Sequence, residues 1–330
     1  IYITNYIYLQ TECLKMNKKN ILVIGSSGFI GKWLVSTFLK SNFNVFSFSP
    51  EKLDTKNNVF KNKKVFHIQG NIKNIKSLEN AFDKANPKFV VFLAAYGGKG
   101  NGLLQAAENN PIKALDINVM GFYNLLQVSS KRNIDRLIWS SSTVVYGKAK
   151  NYKEKYVKEA SELKPITVYG LTKFLAEDIA YWFHYNNKLN ITGLRLPLVI
   201  GPGLDYKGVA ASISELAKST AFNKRFNANM PNDSIDIAYV KDVANIFLQL
   251  IETDKKLKLI YNIPTIRTSS KELIKYFRRH NTIKTDLDYK FKKSVVYPLM
   301  SDKMIKNDLK VFLKYDLSNL VSDWINELRK

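Results

Sequence analysis

Ile21-Leu-Val-Ile24-Gly25-Ser-Ser-Gly28-Phe-Ile-Gly31 decides the fold. The apolar run at 21–24 has strand length, the segment at 32–40 is amphipathic like a helix, and a turn of glycines and serines joins them. Residues without a Cβ let backbone N–H groups and a helix N-terminus come close to a pyrophosphate, so this strand, turn and helix predict a bound dinucleotide. The spacing departs from G-x-G-x-x-G, because Ser27 stands where the second glycine would be, and an ordinary strand-to-helix turn can have the same composition. The surrounding chain has to decide between the two.

Outward from the loop, apolar runs of strand length at 42–48, 64–69, 88–94, 136–141 and 191–196 alternate with helical patterns at 75–85, 111–131 and 165–186. This alternation predicts an α/β fold with a Rossmann-type, doubly wound parallel sheet, whose ligands lie at the carboxyl ends of the strands. Past 196 the regularity fades. A helical stretch near 209–219 lies among Asn- and Pro-rich loops, strands are expected at 235–240 and 257–263 around a helix at 241–252, and 269–330 reads as helical and basic. The expected organisation is a dinucleotide-binding domain over 16–200, to which 235–263 returns, and a smaller interleaved substrate-binding lobe from 201–234 and 264–330. Residues 1–15 lack a basic n-region and a small-residue cleavage site, so they are read as a non-native or disordered extension before a start at Met16, and the cytoplasm is the default compartment.

Composition narrows the partners. The 330 residues carry 51 Lys+Arg against 28 Asp+Glu, a net charge of +23 that attracts polyanions non-specifically. The lysines are spread along the chain. The densest cluster, Arg278 and Arg279 with Lys284, Lys290, Lys292 and Lys293, has aromatic neighbours but no nucleic-acid motif, so no specific nucleic acid is expected. No apolar run approaches the roughly 18 residues of a membrane span, so no membrane partner is expected either. The lone Cys13 excludes an internal disulfide and a cysteine-based zinc site, and His67, His184 and His280 are scattered, so no metal is expected.

Two further motifs carry chemistry. In Tyr169-Gly-Leu-Thr-Lys173 the phenol and the ammonium lie four residues apart on a predicted helix, on one face and about 5–6 Å apart at Cβ. A free tyrosine titrates near 10, too high for a base at neutral pH, and a neighbouring cation favours the phenolate. In Ser140-Ser-Ser142-Thr143-Val-Val-Tyr146-Gly147 a hydroxyl at a strand's carboxyl end can orient an alcohol or carbonyl oxygen. Each motif is common alone. The order of glycine loop, serine loop, then Tyr and Lys, each in its proper strand, loop or helix, is not.

With these motifs the chain resembles the extended short-chain dehydrogenase/reductase family, in its NAD-dependent epimerase/dehydratase (nucleotide-sugar) branch, over nearly all of 20–330. GSSGFIG is similar to the family's GxxGxxG loop, which accounts for Ser27, and NVMGFYNLL from Asn118, LRLPLVIGPG from Leu194 and IAYVKDVANIF from Ile237 match as well. The resemblance implies Tyr169 as the acid/base, Lys173 as the cation that favours its phenolate and binds the nicotinamide ribose, and Ser142 on the reacting oxygen, with Thr143 beside it. It implies that Gly25, Gly28, Phe29, Ile30 and Gly31 hold the pyrophosphate, that Ala94 and Ala95 line the cofactor, and that Asn118 stands near the active site, a candidate substrate contact with Thr143 and Leu198 or else a structural support. Asn71 occupies the place of an adenine-contacting aspartate, beside Ile72.

The resemblance also implies a function: hydride transfer at one sugar carbon by a nucleotide-sugar 4-epimerase or 4-keto reductase, with NAD or NADP as cofactor and a homodimer as the common assembly. Ser49 stands where NAD enzymes carry an acid, and with Lys52 it tilts the expectation slightly towards NADP, while Glu51 between them speaks the other way. Thr143 and Val144 replace the Asp-Glu pair of dehydratases, which disfavours dehydration. Leu198 replaces an asparagine that contacts the substrate diphosphate, and Ile235 replaces an arginine before Asp236. Two alternatives stay open: an oxidoreductase of this fold acting on a non-nucleotide alcohol or ketone, and a non-catalytic cofactor- or nucleic-acid-binding protein. The run at 97–102 reads as a mobile loop over the substrate or as a plain surface loop.

Overall fold

The decisive apolar run becomes β1 (Asn20–Ile24), whose residues 21–24 are all but inaccessible to solvent. The computed structural model describes residues 19–52, 58–97, 100–205, 211–231, 234–280, 287–292 and 295–330. With β2 (Asn44–Ser49), β3 (Val65–Gln69), β4 (Phe89–Phe92), β5 (Arg136–Ser142), β7 (Ile191–Leu196) and β11 (Ile260–Asn262), β1 forms a seven-stranded parallel sheet in the order β3-β2-β1-β4-β5-β7-β11. The order reverses between β1 and β4, and an open α/β sheet opens its ligand crevice at such a switch point. The expected Rossmann-type sheet is present, and the glycine loop leaves it there.

Apolar runs without alternation belong in a sheet covered on both faces. One face is covered by α1 (Phe29–Lys40) and α8 (Val240–Glu252), whose Val35, Phe38, Val243 and Phe247 pack on Val23, Val45, Val91 and Ile138. The other is covered by α2 (Ile75–Ala85), α5 (Gly121–Ser129) and α6 (Val168–Asn187), through Leu78, Phe82, Phe122 and Phe183 against Leu22, Phe48, Val90 and Trp139. Local signals set the helix ends. Asn74 caps α2 by accepting from the Ser77 N–H at 3.2 Å, Thr167 caps α6 by accepting from the Gly170 N–H at 3.0 Å, and Asn86 and Lys188 close those helices in the left-handed region.

The second lobe is less regular than expected. The chain passes from β7 to β8 (Leu198–Ile200) across Pro197 alone, and β8 pairs with β10 (Ser234–Tyr239), which pairs with β12 (Ile266–Ser269). Of the 235–263 return, α8 and β11 join the main sheet, but the 234–239 strand belongs to this small sheet instead. The 269–330 segment is helical in α9 (Ser270–Arg279), α10 (Lys303–Leu309) and α11 (Leu317–Arg329), yet it also contributes β13 (Leu287–Lys292) and β14 (Leu299–Met300), which pair with β9 (Phe226–Pro231) and β6 (Tyr156–Val157). These strands are short or interrupted by Asn and Lys, so no apolar period marks them. With α7 (Ala211–Ala221), the lobe closes on Ile213, Leu216, Phe277 and Trp324.

Polar ties fix the two lobes to each other. Lys241 on α8 bridges Asp323 and Glu327 on α11 at 2.7 and 2.8 Å, and the Trp33 indole of α1 donates to the Pro202 carbonyl at 2.9 Å. Two shorter helices, α3 (Leu103–Asn109) and α4 (Pro111–Leu115), complete the set. The helix expected over 111–131 is instead α4, one wide π turn at Asp116–Met120, and α5. Such a local widening concentrates at functional sites, and Asn118 sits in it.

Candidate active site

The glycine loop is built on close approach. Gly25 has φ +85° and a Cβ there would lie 2.7 Å from the Ala94 backbone nitrogen; at Gly31 a Cβ would lie 2.3 Å from the Gly25 carbonyl oxygen. Only glycine permits either position, so the loop sits flush against the exit of β4 and the start of α1. Gly28 offers α1 no side-chain cap, and the first turn, with Phe29 and Ile30, holds no acidic residue. A helix start left without a cap at a switch point fits an anionic pyrophosphate. Ala94 closes the loop from below, and Ala95 packs into an apolar cluster with Val144 and Tyr169.

The serine strand and α6 bring the chemistry together. Ser142 ends β5, and its hydroxyl caps the short turn Thr143–Tyr146 by accepting from the Val144 N–H at 3.4 Å. Lys173 is 2% exposed; its Nζ donates to the Ser140 carbonyl at 2.7 Å and lies 5.7 Å from the centre of the Tyr169 ring. Burial pulls the Lys173 ammonium down to about 8, while the Glu177 carboxylate one turn on works in the opposite direction. The structure thus places Tyr169, Lys173 and Ser142 at the carboxyl end of β5, beside the crevice.

Beneath them lies a network that the motifs do not announce. Glu177 and Arg195 form a buried ion pair, with contacts of 2.9 Å from Nε and 2.6 Å from the terminal nitrogen, and Ser141 donates to the same carboxylate at 2.5 Å. Arg195 also donates to the Tyr146 hydroxyl at 2.6 Å and the Glu159 carbonyl at 3.0 Å, and Tyr146 donates to Asn262 Oδ1 at 2.8 Å. Burial would lower the Arg195 guanidinium, but its bonds to Glu177 hold it above its ordinary value; burial pushes the Tyr146 phenol up to about 12. Two signals were available. Glu177 follows Lys173 by four residues, and Arg195 is a charge inside an otherwise apolar strand, where an unpaired charge almost never sits.

Other expected contacts take different forms. Asn118 was expected among the substrate contacts, but it is buried and both ends of its amide are used internally: Oδ1 accepts from the Tyr96 N–H at 2.7 Å and Nδ2 donates to Thr172 Oγ1 at 3.0 Å, which donates to the Tyr169 carbonyl at 2.8 Å. It braces the Tyr169 helix. Asn71 accepts from the Lys73 N–H at 3.0 Å within its own turn, and Ile72 is wedged against Gly121. Ser49 is buried with its hydroxyl donated to the Glu51 carbonyl at 3.3 Å. Leu198 opens β8 opposite Ile237. Asp236 is not left without an arginine: Arg267, directly across on β12, brings its Nε to 3.5 Å from Asp236 Oδ1 and stacks on Tyr156 at 4.3 Å. Gly98 and Lys99 of the 97–102 run, Cys13 and residues 1–15, and Lys284 and Lys293 of the basic cluster lie outside the described residues. Among the described residues no group of three or more His, Cys, Asp or Glu is placed to hold a metal, and no helix is long and apolar enough to cross a membrane.

Sheet order, glycine loop and uncapped helix start define a dinucleotide-binding α/β protein. Residues 21–263 match the model of the NAD dependent epimerase/dehydratase family, and the chain belongs to that family. It is 27% identical over 251 residues to UDP-glucuronate 4-epimerase 4 of Arabidopsis thaliana, covering 73% of this chain and 55% of that protein. It is 29% identical over 252 residues to a putative UDP-glucose 4-epimerase of Methanocaldococcus jannaschii, covering 76% and 78%. The match thus spans about half the length of the plant relatives. Among solved structures, a UDP-glucose 4-epimerase of Thermotoga maritima with UDP-glucose aligns at TM-score 0.79 and 23% identity, and an L-threonine dehydrogenase of Clostridium difficile at 0.81 and 20%, each over 94% of this chain and 98% of the other. At these identities the structures establish a shared fold.

Two consequences can be measured. Glu177→Ala leaves the buried Arg195 guanidinium without its carboxylate, and urea denaturation should show a loss of about 3–5 kcal/mol. Lys173 binds its proton less tightly folded, at about 8, than unfolded, at 10.5, so the unfolded chain holds more protons between those values and stability rises with pH. Measured without cofactor, the stability of the wild type relative to Lys173→Met should therefore increase from pH 8 to 10; a flat difference would contradict it.

Proposed function

We propose that the chain is a nucleotide-sugar 4-epimerase acting on a UDP-hexose or UDP-hexuronate, with Tyr169 as its acid/base. The observation that carries this is the convergence of Tyr169, buried Lys173 and Ser142 at one strand end beside the glycine loop; the UDP-sugar 4-epimerases among the relatives supply the substrate class. A bound nicotinamide dinucleotide would supply the hydride acceptor and donor for the sugar carbon. Gly25, Gly28 and Gly31 leave room for its pyrophosphate, and Lys173 holds the nicotinamide ribose.

Tyr169 takes the proton of the sugar hydroxyl as the hydride leaves the same carbon, and gives it back when the hydride returns. A cation close to a phenol favours its ionised form, the state a base needs. Ser142, with Thr143 beside it, donates to the reacting oxygen and keeps it facing Tyr169. Inversion at the carbon requires the intermediate ketone to present its other face before the hydride returns. The partner is a second copy of the chain, meeting it through an exposed apolar face: Met120 and Tyr123 beside Leu171, Trp182 and Tyr185, with the Tyr123 ring 5.4 Å from Phe183 aligning the two helices.

A second reading has its own support. Leu198 stands in place of the asparagine that the resemblance gives as a contact to the substrate diphosphate, and L-threonine dehydrogenases stand among the structures that share the fold. In that case the substrate is a small non-nucleotide alcohol.

Assays with UDP-hexoses, 4-keto nucleotide sugars and amino alcohols separate these. Redox-neutral interconversion without added cofactor supports the epimerase, stoichiometric NAD(P)H consumption a 4-keto reductase, and NAD(P) reduction by a small alcohol the second reading. Tyr169→Phe should keep cofactor binding and lower turnover by about 10²–10⁴-fold; unchanged turnover would remove Tyr169 from the chemistry. Sedimentation should give twice the chain mass, falling to the single mass in Trp182→Glu with the circular dichroism unchanged.

A further inference from the structure

Ser141 on β5 and Arg195 on β7 are register partners, so both side chains leave the sheet on the face that α6 covers, and there they meet Glu177. The Arg195 and Glu177 side chains are 3% and 11% exposed. Stability alone is a poor reason for such a pair, because desolvation offsets much of its attraction and apolar residues of similar volume often serve as well. Its neighbours supply another reason. Ser141 immediately precedes Ser142 at the end of β5, and Glu177 lies one helical turn past Lys173 and two past Tyr169 on α6. A Ser141 hydroxyl held at 2.5 Å by the Glu177 carboxylate fixes the strand end from which Ser142 projects.

The surroundings of Lys173 point the same way. From β5 its Nζ meets the Ser140 carbonyl at 2.7 Å and the centre of the Trp139 ring at 5.9 Å; from its own helix it meets the Tyr169 ring at 5.7 Å, with Glu177 one turn on. Among the described residues, the Glu177 carboxylate is the charge that helps Lys173 keep its proton, against the burial that loosens it. We infer that Glu177 is a positioning residue of the reaction: through Ser141 it fixes the strand end that presents Ser142, and its negative charge faces the Lys173 ammonium on which Tyr169 depends. The inference rests on Tyr169, Lys173 and Ser142 carrying the chemistry. Glu177 acts through these neighbours, while Arg195 holds its carboxylate in place with two bonds.

Two variants of the full chain separate this role from packing. Glu177→Gln combined with Arg195→Met removes both charges at once and leaves no lone buried charge, so it should fold. Without cofactor, its stability relative to the same protein carrying Lys173→Met should rise with pH from a point below 8, whereas in the wild type the rise begins at about 8. Ser141→Ala keeps both charges and cuts only the tie to the strand. With whichever substrate the wild type turns over, it should lower kcat about tenfold, equivalent to about 1.4 kcal/mol, while KM and the calorimetric affinity for NADH stay within about twofold. In the pair variant the alkaline fall of kcat should begin at lower pH than in the wild type, a shift that lost packing does not produce. An unchanged onset in the cofactor-free titration, or wild-type kcat in Ser141→Ala, overturns the inference even in an active epimerase. If the pair variant does not fold, Ser141→Ala decides alone. A wild type that turns over no substrate overturns the reading of Tyr169, Lys173 and Ser142, and the inference with it.

Discussion

The Glu177–Arg195 pair ties α6 to β7, Ser141 joins it to β5, and Tyr146 carries it on to Asn262 at the end of β11. Two charges this deep cost several kcal/mol each to desolvate, and the cost is offset only when their hydrogen-bonding capacity is filled. Here partners meet both charges: Ser141 adds to the carboxylate, and the Tyr146 hydroxyl and the Glu159 carbonyl bring the guanidinium to four hydrogen bonds. The arrangement explains the rigidity demanded around Lys173 and Ser142. Ser141 is the immediate neighbour of Ser142, and Glu177 lies one turn from Lys173, so the same carboxylate fixes the strand end and the helix that must face each other.

The crevice itself depends on the absence of atoms. Gly25 and Gly31 let β1, the exit of β4 and the start of α1 converge without side chains between them, and the uncapped helix start is left facing that space. Against this positive end the structure sets a lysine whose burial weakens its hold on its proton. In the proposed reaction, binding and proton transfer therefore fall to different parts of the same edge. The loop attracts an anion through fixed dipoles, while α6 supplies groups that titrate.

Much of this was legible in sequence because it is local. The glycine run, the i,i+4 spacing of Tyr169 and Lys173 and the hydroxyls ending β5 are written in contiguous residues, and the main sheet follows from strands with continuous apolar runs. What escaped lies across the chain. Arg195 needs Glu177 on another element, and Asp236 finds its arginine on a neighbouring strand rather than at Ile235. The small lobe escaped for a further reason. Its strands β9 and β13 are broken by Asn, Asp and Lys, so pairing rather than periodicity defines them. Asn118 shows the converse case, since its sequence left open a ligand contact or a structural support, and its two internal bonds are those of a brace.

The Asp236–Arg267 pair also sets a register. Side chains alternate faces along a strand, so slipping β12 by one residue against β10 would bring Ile266 or Thr268 opposite Asp236 and leave a buried carboxylate facing an apolar or neutral group. The antiparallel pairing is thereby locked to one alignment by charge rather than by turn geometry. Because β10 also pairs with β8, which follows β7 after Pro197 alone, that alignment carries through to the last strand before the crevice. An ion pair in the small sheet thus favours one alignment of the strands that follow directly on the main sheet.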